Sequence, residues 1–128
     1  INWEHETIWL PNGMCLKYPD LKKSKNEESG WDEWSYQSKD MRKKIYGGLL
    51  CENIVQALAR IIVGWQMLNI SYKYPIVMTT HDEVVALPKT SQAERCIAFM
   101  NKWMLTAPDW ALGLPLNAEG GYAPNYSK

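Results

Sequence analysis

Phenylalanine is nearly absent: the 128 residues hold one Phe against seven Trp and seven Tyr. The aromatic surface is therefore mostly of the kind that carries a polar handle. Cysteine is scarce and odd in number. Cys15, Cys51 and Cys96 give neither a disulfide framework nor a zinc spacing, and they are read as free thiols in a reducing compartment. A surplus of charge is lacking too, since 14 basic and 14 acidic side chains cancel. That argues against a free-standing nucleic-acid binder, which carries a basic surplus, but not against a piece of a larger one. No apolar run is read as nearing the roughly 18 residues of a membrane span and no signal-peptide pattern is read at the start, so no membrane partner is expected. Repeats and low-complexity stretches are absent as well. What remains is 46% apolar and 22% charged, ordinary for a globular chain and too apolar for disorder. Residues 1–128 are read as a single domain, able to bury about two-thirds of the unfolded surface.

Turn signals and periodicity divide the chain. Ile8 to Tyr18 reads as two short strands around Pro11-Asn12-Gly13, with Asn-Gly as the turn. Pro19 to Glu33, rich in Lys, Glu, Ser and Asn, reads as a solvated loop. Trp34 to Ile45 reads as a second hairpin, and its basic run Lys39 to Lys44 as a solvated face or, alternatively, a contact to a phosphate backbone. From Gly47-Gly48 onward, Leu49, Leu50, Ile54, Val55, Leu58, Ala59, Ile62, Val63 and Met67 follow helical spacing, with Gln56, Arg60 and Gln66 on other faces. Ile76 to Leu87 reads as a buried hairpin interrupted by Thr79-Thr80-His81-Asp82-Glu83. Ser91 with Glu94 reads as a capping box opening a second helix, which carries Cys96, Ile97, Met100, Trp103 and Met104 on its apolar side. Pro115 to Gly121 reads as a last strand. The seven tryptophans, Trp3, Trp9, Trp31, Trp34, Trp65, Trp103 and Trp110, are read mainly as packing, some of them, if the chain is a fragment, against surfaces that other parts would cover. The order predicts an α+β fold, an antiparallel sheet packed against two helices.

The sharpest local feature is His81-Asp82-Glu83 between apolar runs. Adjacent carboxylates are costly to bury unless paired or metal-bound. At a tight turn both can project toward one edge, and carboxylate oxygens suit Mg²⁺, which takes one or two of them and completes its shell with phosphate and water. Taken alone, the tripeptide reads first as an ordinary exposed acidic turn, since short motifs often misfire.

The surroundings resemble the C-terminal palm portion of family A DNA polymerases, the bacterial polymerase I and bacteriophage group. That family's last catalytic motif is His-Asp-Glu between apolar strands, matched here by Val77-Met78-Thr79-Thr80-His81-Asp82-Glu83-Val84-Val85. A helix carrying Gln precedes it, here Asn53-Ile54-Val55-Gln56-Ala57-Leu58-Ala59-Arg60. Leu10-Pro11-Asn12-Gly13 through Tyr18-Pro19-Asp20 resembles an upstream strand pair, and Leu114-Pro115-Leu116-Asn117-Ala118-Glu119-Gly120-Gly121-Tyr122 with Asn125-Tyr126 resembles the family's ending. Four motifs in order cover nearly the whole chain. The exception is Ser24 to Lys44, longer than in bacterial members and more like phage ones.

The resemblance implies a DNA-directed DNA polymerase that extends a primer on a template with deoxynucleoside triphosphates. Asp82 is implied as a ligand of the two Mg²⁺ ions and Glu83 as its supporting neighbour, in or just outside the metal's ligand set. His81 is implied as a contact near the primer terminus and Gln56 as a donor to minor-groove acceptors, which every base pair offers. Arg60, one turn on, is open to a phosphate contact or a salt bridge. The family often has Asn four residues before that Gln. Here Glu52 holds the position, and either Asn53 has taken the role or Glu52 faces elsewhere. A further family Asp, five residues after the Gln, is replaced by Ile61.

The family's first catalytic aspartate motif and its triphosphate-binding Arg/Lys helix are not found in this sequence. The expectation is therefore a fragment, half a metal site, monomeric and inactive alone, from a bacterial or phage-encoded cytoplasmic enzyme. Its rivals are a free-standing α+β binding module with a structural His-Asp-Glu turn, and a small Mg²⁺-dependent nuclease, which would need more acidic ligands than Asp82 and Glu83. An aspartate strand and an Arg/Lys helix encoded just upstream would discriminate in favour of the polymerase.

Overall fold

The computed structural model describes residues 1–126, except the side chains of Asn2 and Trp3, so that tryptophan's packing lies outside the described residues. The fold is α+β with antiparallel sheets and two helices. In place of the one sheet expected, the strands divide among three small ones. The chain forms two compact units, 1–59 and 60–128.

In the first unit, β1 (Asn2–Glu4), β2 (Thr7–Trp9) and β3 (Cys15–Lys17) form a meander. The Asn-Gly turn is where the sequence placed it. Gly13 sits at φ +82, a left-handed conformation that glycine adopts without Cβ strain, and its N–H donates to the Leu10 carbonyl at 3.0 Å. A second meander consists of β4 (Lys22–Lys25), β5 (Asp32–Ser38) and β6 (Met41–Ile45). β4 corrects the expectation of a loop. All four of its residues are exposed, so no apolar alternation announced it. Its position is set from outside: Glu6 accepts from the backbone N–H groups of Asp20 and Leu21 at 2.8 and 2.9 Å, and Lys23 pairs with Asp32 at 2.6 Å. Ile8, Tyr18 and Ile45 form the core of this unit, with Leu16, Leu21, Tyr36, Leu49, Leu50 and Ile54 packed around them.

The long helix α1 (Gly47–Ser71) continues into the second unit. There Ile62, Gln66 and Ile70 are its buried positions, spaced i, i+4, i+8. Gln66 thus lies on the buried face, not on another face as its polarity suggested. Its Nε2 donates to the Met104 and Thr106 carbonyls at 2.9 and 3.2 Å, satisfying acceptors at the end of the next helix that would otherwise be orphaned. By length and composition α1 is long and apolar enough to cross a membrane, which corrects the expectation that no segment approaches this. Gln56, Arg60, Gln66 and Asn69 interrupt it, and an arginine at a bilayer centre costs about 2.5–3.5 kcal/mol on insertion scales.

β7 (Ile76–Thr80) and β8 (Glu83–Ala86) form the expected hairpin. α2 (Ala93–Met104) covers it, with Ile70, Tyr74, Cys96 and Met100 buried together and Ile76, Val84, Ala86, Phe99, Trp103 and Met104 packed against them. Burial pushes the Cys96 thiol up, as befits a small apolar filler. Ser91 is not the N-cap: it lies inside a 3₁₀ turn, Thr90–Gln92, and Gln92 takes the cap position with no side-chain bond. No strand forms over residues 115–121, where Pro115 and Gly120-Gly121 find no sheet edge to join. Trp65 and Trp103 pack edge to face at 5.6 Å, whereas Trp9, Trp31, Trp34 and Trp110 are exposed.

Candidate functional site

Pairing of Thr80 with Glu83 leaves His81-Asp82 as a two-residue turn, shorter than the five-residue polar interruption read from the sequence. His81 adopts φ +54. Positive φ at the first central position matches the primed turns that suit the right-handed twist of a hairpin, and histidine tolerates it better than most residues. A slip in register between Ile76 and Met78 marks a bulge lower in β7. The consequence is a firmly anchored tip on which His81 and Asp82 are exposed and Glu83, the first residue of β8, is half-buried. The hydroxyl of Tyr126 lies 3.5 Å from Glu83 Oε2.

Among the described residues, no three His, Cys, Asp or Glu side chains converge as a metal cage would require. The donor set is at most the two adjacent carboxylates, Asp82 and Glu83. That number suits Mg²⁺, which retains water and substrate oxygens, and does not suit a structural ion held by protein alone.

The other predicted residues lie in the first unit, apart from Arg60. Asn53 and Gln56 border an open groove of about 400 Å³, shared with Leu16, Lys17, Tyr18, Tyr36 and Ala57. Asn53 is turned inward, its Nδ2 donating to the Tyr18 hydroxyl at 3.1 Å, while exposed Glu52 accepts from Gln56 Nε2 at 3.0 Å. Tyr18 is braced edge-on by Tyr36 at 5.1 Å. Lys17, Tyr18 and Tyr36 were missed as groove residues. The alternation of Leu16 and Tyr18 could have shown their common face, but the pairing of that strand with a helix 35 residues later has no local signal.

Arg60 is exposed and pairs with no acidic group among the described residues. The basic run from Lys39 to Lys44 is exposed, and two of its members pair with acids of the same unit. Arg42 bonds Asp20 at 2.6 Å and Lys44 bonds Glu33 at 2.7 Å. Lys22 and Arg42 hold the Asp20 carboxyl below the ordinary aspartate value, and Lys44 with Asn26 does the same for Glu33.

The chain is 33% identical to the DNA polymerase of Bacillus phage SP02 over 129 residues, covering 94% of this chain. It spans only 19% of that relative's length. With so little of the chain outside the match, both α1 and the His81–Glu83 turn fall within it. No protein-family model and no solved structure matches. By sequence, then, the chain is similar to a piece of a phage DNA polymerase.

Proposed function

We propose that this chain is the C-terminal palm part of a family A DNA polymerase of phage type, contributing half of a nucleotidyl-transfer site. The observation that carries the reading is the similarity to the phage enzyme through a stretch holding His-Asp-Glu at a hairpin tip, His81 and Asp82 as its two-residue turn and Glu83 opening the next strand. Asp82 and Glu83 would hold Mg²⁺, with His81 beside them toward the primer terminus. The chemistry supplied there when the site is loaded is activation of the primer 3′-hydroxyl and stabilisation of the leaving pyrophosphate. The hairpin's own contribution is placement: a turn anchored by cross-strand pairs presents a carboxylate at a fixed point without burying it. A second aspartate and the groups that hold the triphosphate would come from elsewhere in the parent enzyme.

The groove of the first unit fits the other half of the reading. Gln56 carries two amide hydrogens, of which Glu52 engages one, leaving a donor for minor-groove acceptors common to all base pairs. Lys17 on the same rim offers a charge to a phosphate.

The test is an exchange of segments. The matching fifth of the phage SP02 polymerase is replaced by this chain, and template-dependent primer extension is measured. Extension by the chimera that falls on the order of a hundred- to a thousandfold in Asp82→Ala supports the reading. A folded chimera that extends equally well with and without Asp82 contradicts it.

A further inference from the structure

We propose that the segment following α2 is a strap that holds the Glu83 carboxylate in place, with Tyr126 as its positioning residue. The inference rests on the metal-site reading of the hairpin, and it adds a residue to that site.

Three anchors occur in the same order along the segment and along the surface it follows. Gly120 comes first: a Cβ there would lie 2.8 Å from Ile97 Cδ1 and 3.3 Å from Asn101 Oδ1, so the backbone lies directly on α2 at mid-length. Tyr122 is next, its hydroxyl 3.3 Å from Glu94 Oε1 in the first turn of α2. Tyr126 is last, at 3.5 Å from Glu83 Oε2. The segment thus runs antiparallel to α2, from its middle to its start, and on to the hairpin. Beyond the 3₁₀ turn Asp109–Ala111, no regular structure directs it among the described residues. Its course is set by one close backbone approach and two phenol hydroxyls facing carboxylates.

Each phenol donates to an acid, which suits anchors at an exposed edge, because a hydrogen bond to a charged acceptor is worth more than a neutral one. The Tyr126 contact is long for an O–H donor, so its effect is to bias Glu83 toward one rotamer and not to lock it. A carboxylate biased in this way has less freedom to lose when a cation arrives, the same logic by which outer hydrogen bonds tune metal ligands.

The experiment compares the wild-type chain, Tyr126→Phe and Gly120→Val by NMR, first without metal and then during Mn²⁺ titration. Valine replaces Gly120 because Ile97 could swing aside for a smaller group. Without metal, both variants are expected to keep the fold and to shift the signals of residues 80–84, including the Glu83 side-chain carboxyl carbon. With Mn²⁺, paramagnetic broadening at residues 81–83 should need about three- to tenfold more metal in each variant. That is less than the ~10–100-fold loss common for outer partners of metal ligands, because the bond is long. Unchanged signals at 80–84 in Tyr126→Phe would overturn the strap. Shifted signals with identical Mn²⁺ dependence would overturn the positioning role and leave a merely structural contact. Shifted signals with no broadening at 81–83 even in the wild type would overturn the metal reading itself, and the role with it, while the metal-free shifts still report the contact.

Discussion

Gln56 Nε2 donates to Glu52 Oε1 at 3.0 Å, one helical turn away on the exposed face of α1. The amide proposed to inspect base pairs is therefore partly held by an acid that a duplex would repel. Changing Glu52 to Gln keeps the side-chain length and removes the charge. Removing one like-charge repulsion of about 1 kcal/mol should tighten binding of a primer–template duplex about fivefold at low salt. Fluorescence anisotropy with a labelled duplex checks this. Unchanged or weaker binding would place the α1 face away from DNA.

The turn at His81 yields a prediction on stability alone. A β-branched residue at φ +54 is strained where glycine is not. His81→Val should lose about 1–2 kcal/mol in urea unfolding, whereas His81→Gly should stay within about 0.5 kcal/mol of wild type. Equal losses for both would mean that the imidazole, not the backbone, supports the turn.

Gln66 is 2% exposed and bonds two carbonyls at the end of α2. Gln66→Leu preserves volume but strips both carbonyls of their donor, at a cost of about 1–3 kcal/mol. Gln66→Ala adds a cavity and should cost more, about 2–4 kcal/mol. Chemical denaturation of the two variants distinguishes the terms by their order.

Acid should loosen the first unit. The Asp20 and Glu33 carboxyls are held below their ordinary values by Lys22 and Arg42 and by Lys44 and Asn26. A folded value below the unfolded one adds stability that is complete above the unfolded value, near pH 4, and is lost as pH falls through the folded value. Melting temperature should therefore drop below about pH 4, less steeply in Asp20→Asn, and the difference should shrink in high salt because the pairs are exposed. A profile identical in Asp20→Asn would remove Asp20 from the explanation.

The elements legible in the sequence were those with local periodicity. The hairpin at Ile76 to Leu87, the one at Trp34 to Ile45, and α1 all announce themselves by apolar spacing or turn residues. β4 did not, because a strand of four exposed residues has no face to alternate and is placed by Glu6 and Lys23. Ser91 and Glu94 had the spacing of a cap, but the 3₁₀ turn moved the helix start past Ser91, and Glu94 faces Tyr122 instead. At the candidate site, the acidic turn was readable as a tripeptide. Its Tyr126 neighbour was not, since a contact 43 residues away depends on how the intervening chain wraps α2.

The most direct measurement of the central claim follows Mn²⁺ titrated into the wild-type chain and into Asp82→Ala by broadening of amide signals. One or two carboxylates leave the ion mostly hydrated, so affinity should be on the order of millimolar or weaker. Broadening centred on His81 to Glu83 in the wild type and lost in a still-folded Asp82→Ala is the predicted result. Equal broadening over Glu27 to Glu33, unaffected by the substitution, would show only diffuse attraction to surface acids and would contradict a catalytic role for the hairpin.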